Sequence, residues 1–313
     1  MKKIYGFIYV SFLIFCTECK ADSHKDTLNV GFYVNDIYDI DYKKGTYKIS
    51  LFIWTNSYTR YYNLKDYLDI HNQVSFETER YYEDTLFDLN KRKVFWTEIR
   101  GTAEIIQPFD VTHYPFDKEQ LRLSIEFTYE DYKNLFINID STTILTKAKI
   151  PSEWKSNNPK IFKHISFYAT SFGDPLSREY NIQTVDIVYD LFRDSRKLFI
   201  KLFVAMFISF LIACSSIFIS NSNFEPRFSL IVGGLFGTIG NKYVTESYLP
   251  ESSSFNLSDK LHFVTIFFLL ILTILTIVEN RMELANNKKF EKASFLLTLL
   301  TYTGTVLYFI FYN

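Results

Sequence analysis

Gln107–Leu121 reads QPFDVTHYPFDKEQL, with Tyr114-Pro115-Phe116-Asp117 at its centre and thirteen residues between its two ends. Segments of period two lie on both sides. Downstream, Leu121, Leu123, Ile125 and Phe127 alternate with Arg122, Ser124, Glu126 and Thr128. Upstream, Leu28, Val30, Phe32 and Val34 alternate with Asn29, Gly31, Tyr33 and Asn35, and Tyr47, Ile49, Leu51 and Ile53 do the same with their neighbours. Val185, Ile187, Tyr189 and Leu191 close the series. Strict alternation places one face in a core and the other in water, and several such strands between polar turns predict an antiparallel sandwich. Asn63 to Asn90 lacks the period and leaves a short helix or long loops open.

Beyond Arg193 the period of two ends. Leu198–Ile219, Leu261–Val278 and Ala293–Tyr312 are almost wholly apolar, each close to the ~20 residues that cross a bilayer core as a helix. Phe228–Leu249 starts apolar but takes in Asn241, Lys242 and Glu246. Such groups are costly against lipid, so this helix is expected to face protein or water. The reading is four helices, at about 198–219, 227–249, 259–279 and 290–312, with short connections.

Lys2 and Lys3 precede the apolar Ile4–Phe15, and Ala21 offers a small residue before a cut near Asp22. Residues 1–21 therefore read as a signal peptide, with an uncleaved anchor as the alternative. Cys16 and Cys19 fall inside it, so the mature chain keeps Cys214 and no internal disulfide is expected. Residues 22–193 then form an exported domain and 194–313 a membrane domain. The third connection carries Arg281, Lys288, Lys289 and Lys292, as a cytoplasmic loop should. Arg193, Arg196, Lys197 and Lys201 oppose that orientation and need a partner.

The formal net charge of −1 suggests neither nucleic acid nor a polybasic lipid contact. Five scattered His, with no metal-ligand spacing, nucleophile elbow or phosphate-binding loop, lead us to expect no enzyme, metal or cofactor. Glycine is scarce, 10 in all, yet Gly233, Gly234, Gly237 and Gly240 cluster in the second helix. Gly233 and Gly237 have the spacing that lets helices approach closely; a bendable gate or a wide pore is the other reading.

The Gln107–Leu121 loop resembles the one that pentameric ligand-gated ion channels carry, closed by a disulfide in animal members. Gln107 and Leu121 stand where the two cysteines would be, and the prokaryotic members lack them. Glu119 takes the place of the usual Gln, which comes one residue later as Gln120. The order of parts is also similar to that family: signal, sandwich, this loop, an arginine before the first helix, four helices. So is the ungapped spacing from Glu225 to Pro250. Two departures are the missing proline in the first helix and the glycine-rich second helix.

The resemblance implies an all-β immunoglobulin-like sandwich joined to a four-helix transmembrane bundle, in a homopentamer of the bacterial inner membrane. It implies a cation-preferring channel gated by a periplasmic small molecule or ion, contacting membrane lipid and no nucleic acid. A non-conducting sensor or assembly protein with the same fold is the alternative. If second helices ring a pore, steps of three and four place Glu225, Ser229, Gly233, Phe236, Gly240, Tyr243 and Ser247 on its axis. A Glu225 ring would concentrate cations, unless that carboxylate only decorates a helix start or pairs with Arg227. Phe236 would form an apolar constriction. Asp39, Asp41, Tyr114, Pro115, Phe116, Asp117, Arg193, Arg196 and Pro250 are the implied coupling interface, with Asp117 facing Arg193 or Arg196 as a switch or a static ion pair. Phe127, Tyr129, Phe172, Tyr180, Tyr81 and Tyr82 are candidates for an aromatic ligand cage between subunits, with core or surface roles as the alternative.

Overall fold

The computed structural model describes residues 26–128, 135–140, 143, 148–173, 175, 179–193, 195–220, 223–250, 255–281 and 288–312. The expected signal segment, Tyr129 and its acidic neighbours Glu130 and Asp131 lie outside them. The first sheet contains β1 (Asp26–Asp41), β2 (Thr46–Ser57), β4 (Gln73–Phe87), β5 (Lys93–Ile106) and β7 (Leu135–Ile139), in the order β4-β5-β2-β1-β7. The second contains β3 (Leu68–Ile70), β6 (Lys118–Phe127), β10 (Tyr180–Arg193) and β8 (Trp154–Ser156) in that order, and β9 (Lys160–Tyr168) also pairs with β10. A short helix α1 (Leu64–Tyr67) precedes β3. Four long helices follow: α2 (Ser195–Ser215), α3 (Phe224–Glu246), α4 (Leu257–Arg281) and α5 (Lys288–Phe311).

All four alternating sets lie in one core. Val30, Leu51, Ile53, Ile125 and Val185 have no exposed surface, and their period-two partners are buried with them. In β1 the alternation shifts after Val34, where a bulge moves Ile37 to the inside. Gly31 lies beneath the Trp54 indole, where a Cβ would fall 2.0 Å from the ring, so only glycine fits without moving it. Asn63–Asn90 proves to be α1, β3 and the long edge strand β4. β4 has no period because nearly all its side chains are wet: it borders only β5 and carries two register shifts.

The expected immunoglobulin-like sandwich with a four-helix transmembrane bundle is corrected. Among the described residues there are ten strands in two sheets and five helices, and only three helices are long and apolar enough to cross a membrane. These are Ser195–Phe218, Leu257–Asn280 and Lys292–Phe311. The expected span at 227–249 does not qualify, because Arg227, Asn241, Lys242, Glu246 and four glycines take apolar positions. The sheets are not purely antiparallel either: β7 runs parallel to β1, with Ile137 opposite Leu28.

α3 is held between α2 and α4 by its polar and small residues. Its buried face is Arg227, Ile231, Gly234, Thr238, Asn241 and Thr245, a strict alternation of four and three. Asn241 Nδ2 donates to the Leu202 carbonyl of α2 at 2.8 Å, and its Oδ1 lies 3.1 Å from His262 Nε2 of α4. Lys242 is paired with Asp259 at 2.9 Å and with Glu246 at 2.7 Å. Gly234 and Gly237 form the close contact with α2: an added Cβ would fall 2.8 Å from the Ser209 carbonyl oxygen or 2.2 Å from its hydroxyl. Gly233, read from spacing as half of the packing pair, faces open space, as does Gly240.

Candidate functional site

The centre of the Gln107–Leu121 loop joins the two sheets to the helices. Leu257 N, at the start of α4, donates to the Thr112 carbonyl at 3.0 Å. The Phe116 ring packs on Phe199 of α2 with centroids 5.4 Å apart. Asp117 is buried and lies 3.6 Å from Arg193 Nη2, at the very end of β10. The Tyr42 hydroxyl donates to the same Asp117 oxygen. The Arg193 guanidinium is boxed by Trp154 at 4.2 Å, Tyr42 at 5.3 Å and Tyr114 at 5.4 Å. Cation–ring attraction and the carboxylate thus hold the charge jointly. Arg196 is exposed, so Arg193 is the cation that meets Asp117. Asp39 and Asp41 pair with Lys48 and Lys44. Both border a cavity of about 450 Å³ that also touches Tyr114, Arg193, Ser247 and Tyr248. Pro250 is half-buried nearby in sequence.

Glu119 joins this cluster, and sequence reasoning noted it only as a departure from the usual loop. It is buried, and its Oε1 has no hydrogen-bond partner. Burial first and the Asp117 charge second push its carboxyl up to about 7, against the backbone donor at Asp110 and the Arg193 charge. An acid whose folded value is raised favours the folded state when protonated. Its contribution is complete below the unfolded value of about 4.5 and is lost as pH rises through about 7. The full loss is roughly 3 kcal/mol. We expect the melting temperature of the wild-type chain to fall between pH 5 and pH 8 relative to Glu119→Gln, which stays protonation-neutral. Parallel melting curves across that range would remove Glu119 from the account.

On α3, Glu225, Ser229, Gly233, Phe236, Gly240, Tyr243 and Ser247 are all exposed, and form one continuous face opposite the packed one. Phe236 is 70% and Tyr243 71% exposed. Arg227 does not pair with Glu225. It turns inward, with Nη2 2.7 Å from Glu279 of α4 and Nε donating to the Ser216 carbonyl at 3.1 Å. Glu225 is left on the outside of the helix start.

The aromatic candidates divide. Phe172 and Tyr180 meet at 6.0 Å at the tip of the β9–β10 hairpin, and Tyr168 joins them 5.4 Å from Phe172. Positive φ at Phe172 (50°) and Gly173 (91°) shapes this tip. Phe127 is buried in the core. Tyr81 and Tyr82 belong to β4 in the other sheet, Tyr81 beneath Lys65 and Tyr82 beneath Arg80. Tyr168, Trp154 and Tyr42 were missed by the sequence reading. Tyr168 stands opposite Tyr180 in the hairpin register, and that register is invisible until the turn is known. Among the described residues no group of three His, Cys, Asp or Glu side chains is placed to hold a metal ion.

Compared with known proteins, the chain matches no family model, and no curated protein matches it either.

Proposed function

We propose that this chain is one subunit of a homopentameric, cation-preferring ligand-gated channel of the prokaryotic pentameric type. In this reading it lies in the bacterial inner membrane with its sandwich in the periplasm. The observation that carries it is the division of α3 into two faces. One is buried on α2 and α4; the other runs from Glu225 to Ser247 fully exposed, beside three helices apolar enough for lipid. Phe236 apart, a face of Glu, Ser, Gly and Tyr is poorly suited to hydrocarbon, and copies of itself around a water-filled path would shelter it. The sandwich would report to that path through Thr112, Phe116 and the Asp117–Arg193 pair, which touch α4 and α2 directly or lie at their start. Phe172, Tyr180 and Tyr168 would offer rings to a ligand, with Tyr81 and Tyr82 supplied by a neighbouring copy.

Currents from purified protein in planar bilayers test this. Glu225→Gln is expected to lower the preference for cations over anions, read as a shift in reversal potential, and Phe236→Ala to raise the current without ligand. Pentamers that pass no current at any pH, calcium or amine condition would leave the non-conducting sensor as the reading. The bulky Phe236 and Tyr243 on the exposed face favour that second reading.

A further inference from the structure

Three asparagines stand in a row on the outer face of the first sheet. Leu28 and Val30 of β1 and Ile137 of β7 are buried in the core, so Asn29 and Asn138 beside them point out. Thr55 and Ser57 of β2 are buried in turn, which puts Asn56 outside as well. The register sets Asn138 opposite Asn29 and Asn29 opposite Asn56, three adjacent strands at one level. Asn138 Nδ2 donates to Asn29 Oδ1 at 2.9 Å. Asn56 Nδ2 donates to Asp140 Oδ2 at 3.4 Å, the oxygen that also accepts from the Trp54 indole Nε1 at 2.8 Å. That indole is seated over Gly31, so the end of the row is held in place. Among the described residues, Asn29 Nδ2, Asn56 Oδ1 and Asn138 Oδ1 make no hydrogen bond. The three amides border a cavity of about 430 Å³, whose wall also includes Leu86, Phe87 and Tyr58.

We propose that this cavity binds a neutral pyranose sugar, its hydroxyl rim received by the three asparagines and its C–H face laid on Phe87. The size is that of a small-molecule site. A sugar hydroxyl both donates and accepts, and an amide offers both roles without charge. Neighbouring strands lie about 4.8 Å apart, close to the separation of alternate equatorial hydroxyls on a pyranose ring. Phe87 is 71% and Leu86 42% exposed, apolar surface at the same cavity. The negative face of an aromatic ring attracts the polarised C–H bonds on the flat side of a sugar. The two carboxylates of the wall already hold donors. Asp140 receives Trp54 and Asn56, and Asp88 receives Arg92 Nε at 2.8 Å and the backbone N–H groups of Asn90 and Arg92. Neither therefore calls for an ammonium, and their charge repels anions. The site does not depend on whether the protein conducts.

The test is calorimetric titration of the full chain in a polyoxyethylene detergent, which carries no sugar of its own. The probes are the methyl glycosides of glucose, galactose, mannose and N-acetylglucosamine, with tetrahydropyran as the ring without hydroxyls. At least one glycoside is expected to bind saturably, with tetrahydropyran at least tenfold weaker. Asn29→Ala and Phe87→Ala should each weaken that glycoside at least fivefold without lowering the melting temperature measured in its absence. Phe162→Ala, an exposed ring of β9 in the second sheet, should change its affinity less than twofold. Failure of all four glycosides to saturate by about 10 mM overturns the proposal. So does equal binding of tetrahydropyran, or undiminished binding by both site variants, which would leave the asparagine row a surface feature of the sheet. Loss of binding in Phe162→Ala alone would move the sugar to the second sheet and equally overturn it. Should Asn29→Ala fail to fold, Asn138→Ala on the edge strand β7 gives the same reading.

Discussion

Replacing Arg227 with methionine is expected to destabilise the helical part of the protein by about 3–5 kcal/mol. Arg227 is 1% exposed, and its guanidinium is bonded to the buried Glu279 carboxylate and to the Ser216 carbonyl. Methionine fills much of the volume but leaves Glu279 as an uncompensated charge inside the protein. Most of the loss is that orphaned charge and not the net worth of the pair. The double variant Arg227→Met with Glu279→Leu should therefore recover most of the stability, since a packed apolar pair often matches a buried ion pair. Unfolding midpoints of the wild type and the two variants in detergent titrations check this. A single variant within 1 kcal/mol of wild type would show that the pair is not desolvated as described. The same contact turns Arg227 away from the exposed face of α3, so the double variant should also conserve any effect of Glu225 on ion preference.

The second large effect is expected at the junction. Asp117→Ala removes the carboxylate that faces Arg193 and receives the Tyr42 hydroxyl, at a side chain with no exposed surface. The expected cost is again about 3–5 kcal/mol, because Arg193 would stay in its aromatic box without a counter-charge. Arg193→Lys should not be tolerated as conservative: a compact ammonium lacks the planar group that stacks on Trp154, Tyr42 and Tyr114. A double-mutant cycle between Asp117→Ala and Arg193→Met should give a coupling energy of about 1–3 kcal/mol. Coupling near zero would mean that the two side chains are only neighbours. If the junction transmits ligand binding, both variants should also separate binding from current, with ligand affinity of the sandwich changing less than channel opening.

Much of the architecture was legible in the chain because periodicity reports which face of an element is buried. Leu121, Leu123 and Ile125 declared an inward face of β6, and the apolar runs near 198, 261 and 293 declared helices suited to lipid. The polar positions of α3 were equally visible, and they are why that helix is not itself apolar enough to be a span. β4 was not legible, since an edge strand wet on both sides has no burial to imprint on its sequence. Mixed strand direction was not legible either. The parallel pairing of β7 with β1 depends on where a distant segment returns, not on the composition of five residues.

The functional groups show the same division more sharply. The steps of three and four that place Glu225, Ser229, Phe236 and Tyr243 on one side of α3 belong to helix geometry, and sequence alone determined them. Which partner each charged or small residue meets was decided only by the tertiary structure. Asp117 pairs with Arg193 because β10 ends beside the loop, while Arg196, three residues on, has rotated outward on α2. Arg227 meets Glu279, fifty-two residues away, and not its neighbour Glu225. Gly234 and Gly237 pack on Ser209 of α2 while Gly233, at the textually better spacing, faces open space. Periodicity and spacing said nothing of what the Gln107–Leu121 loop meets; only the family resemblance put it at the interface, with Arg193 and Arg196 both open as partners of Asp117. Folded, the loop brings Thr112, Phe116 and Asp117 against three different parts of the chain. A period fixes a direction about one axis; a partner requires the relative placement of two, and that is set by the packing of the whole core.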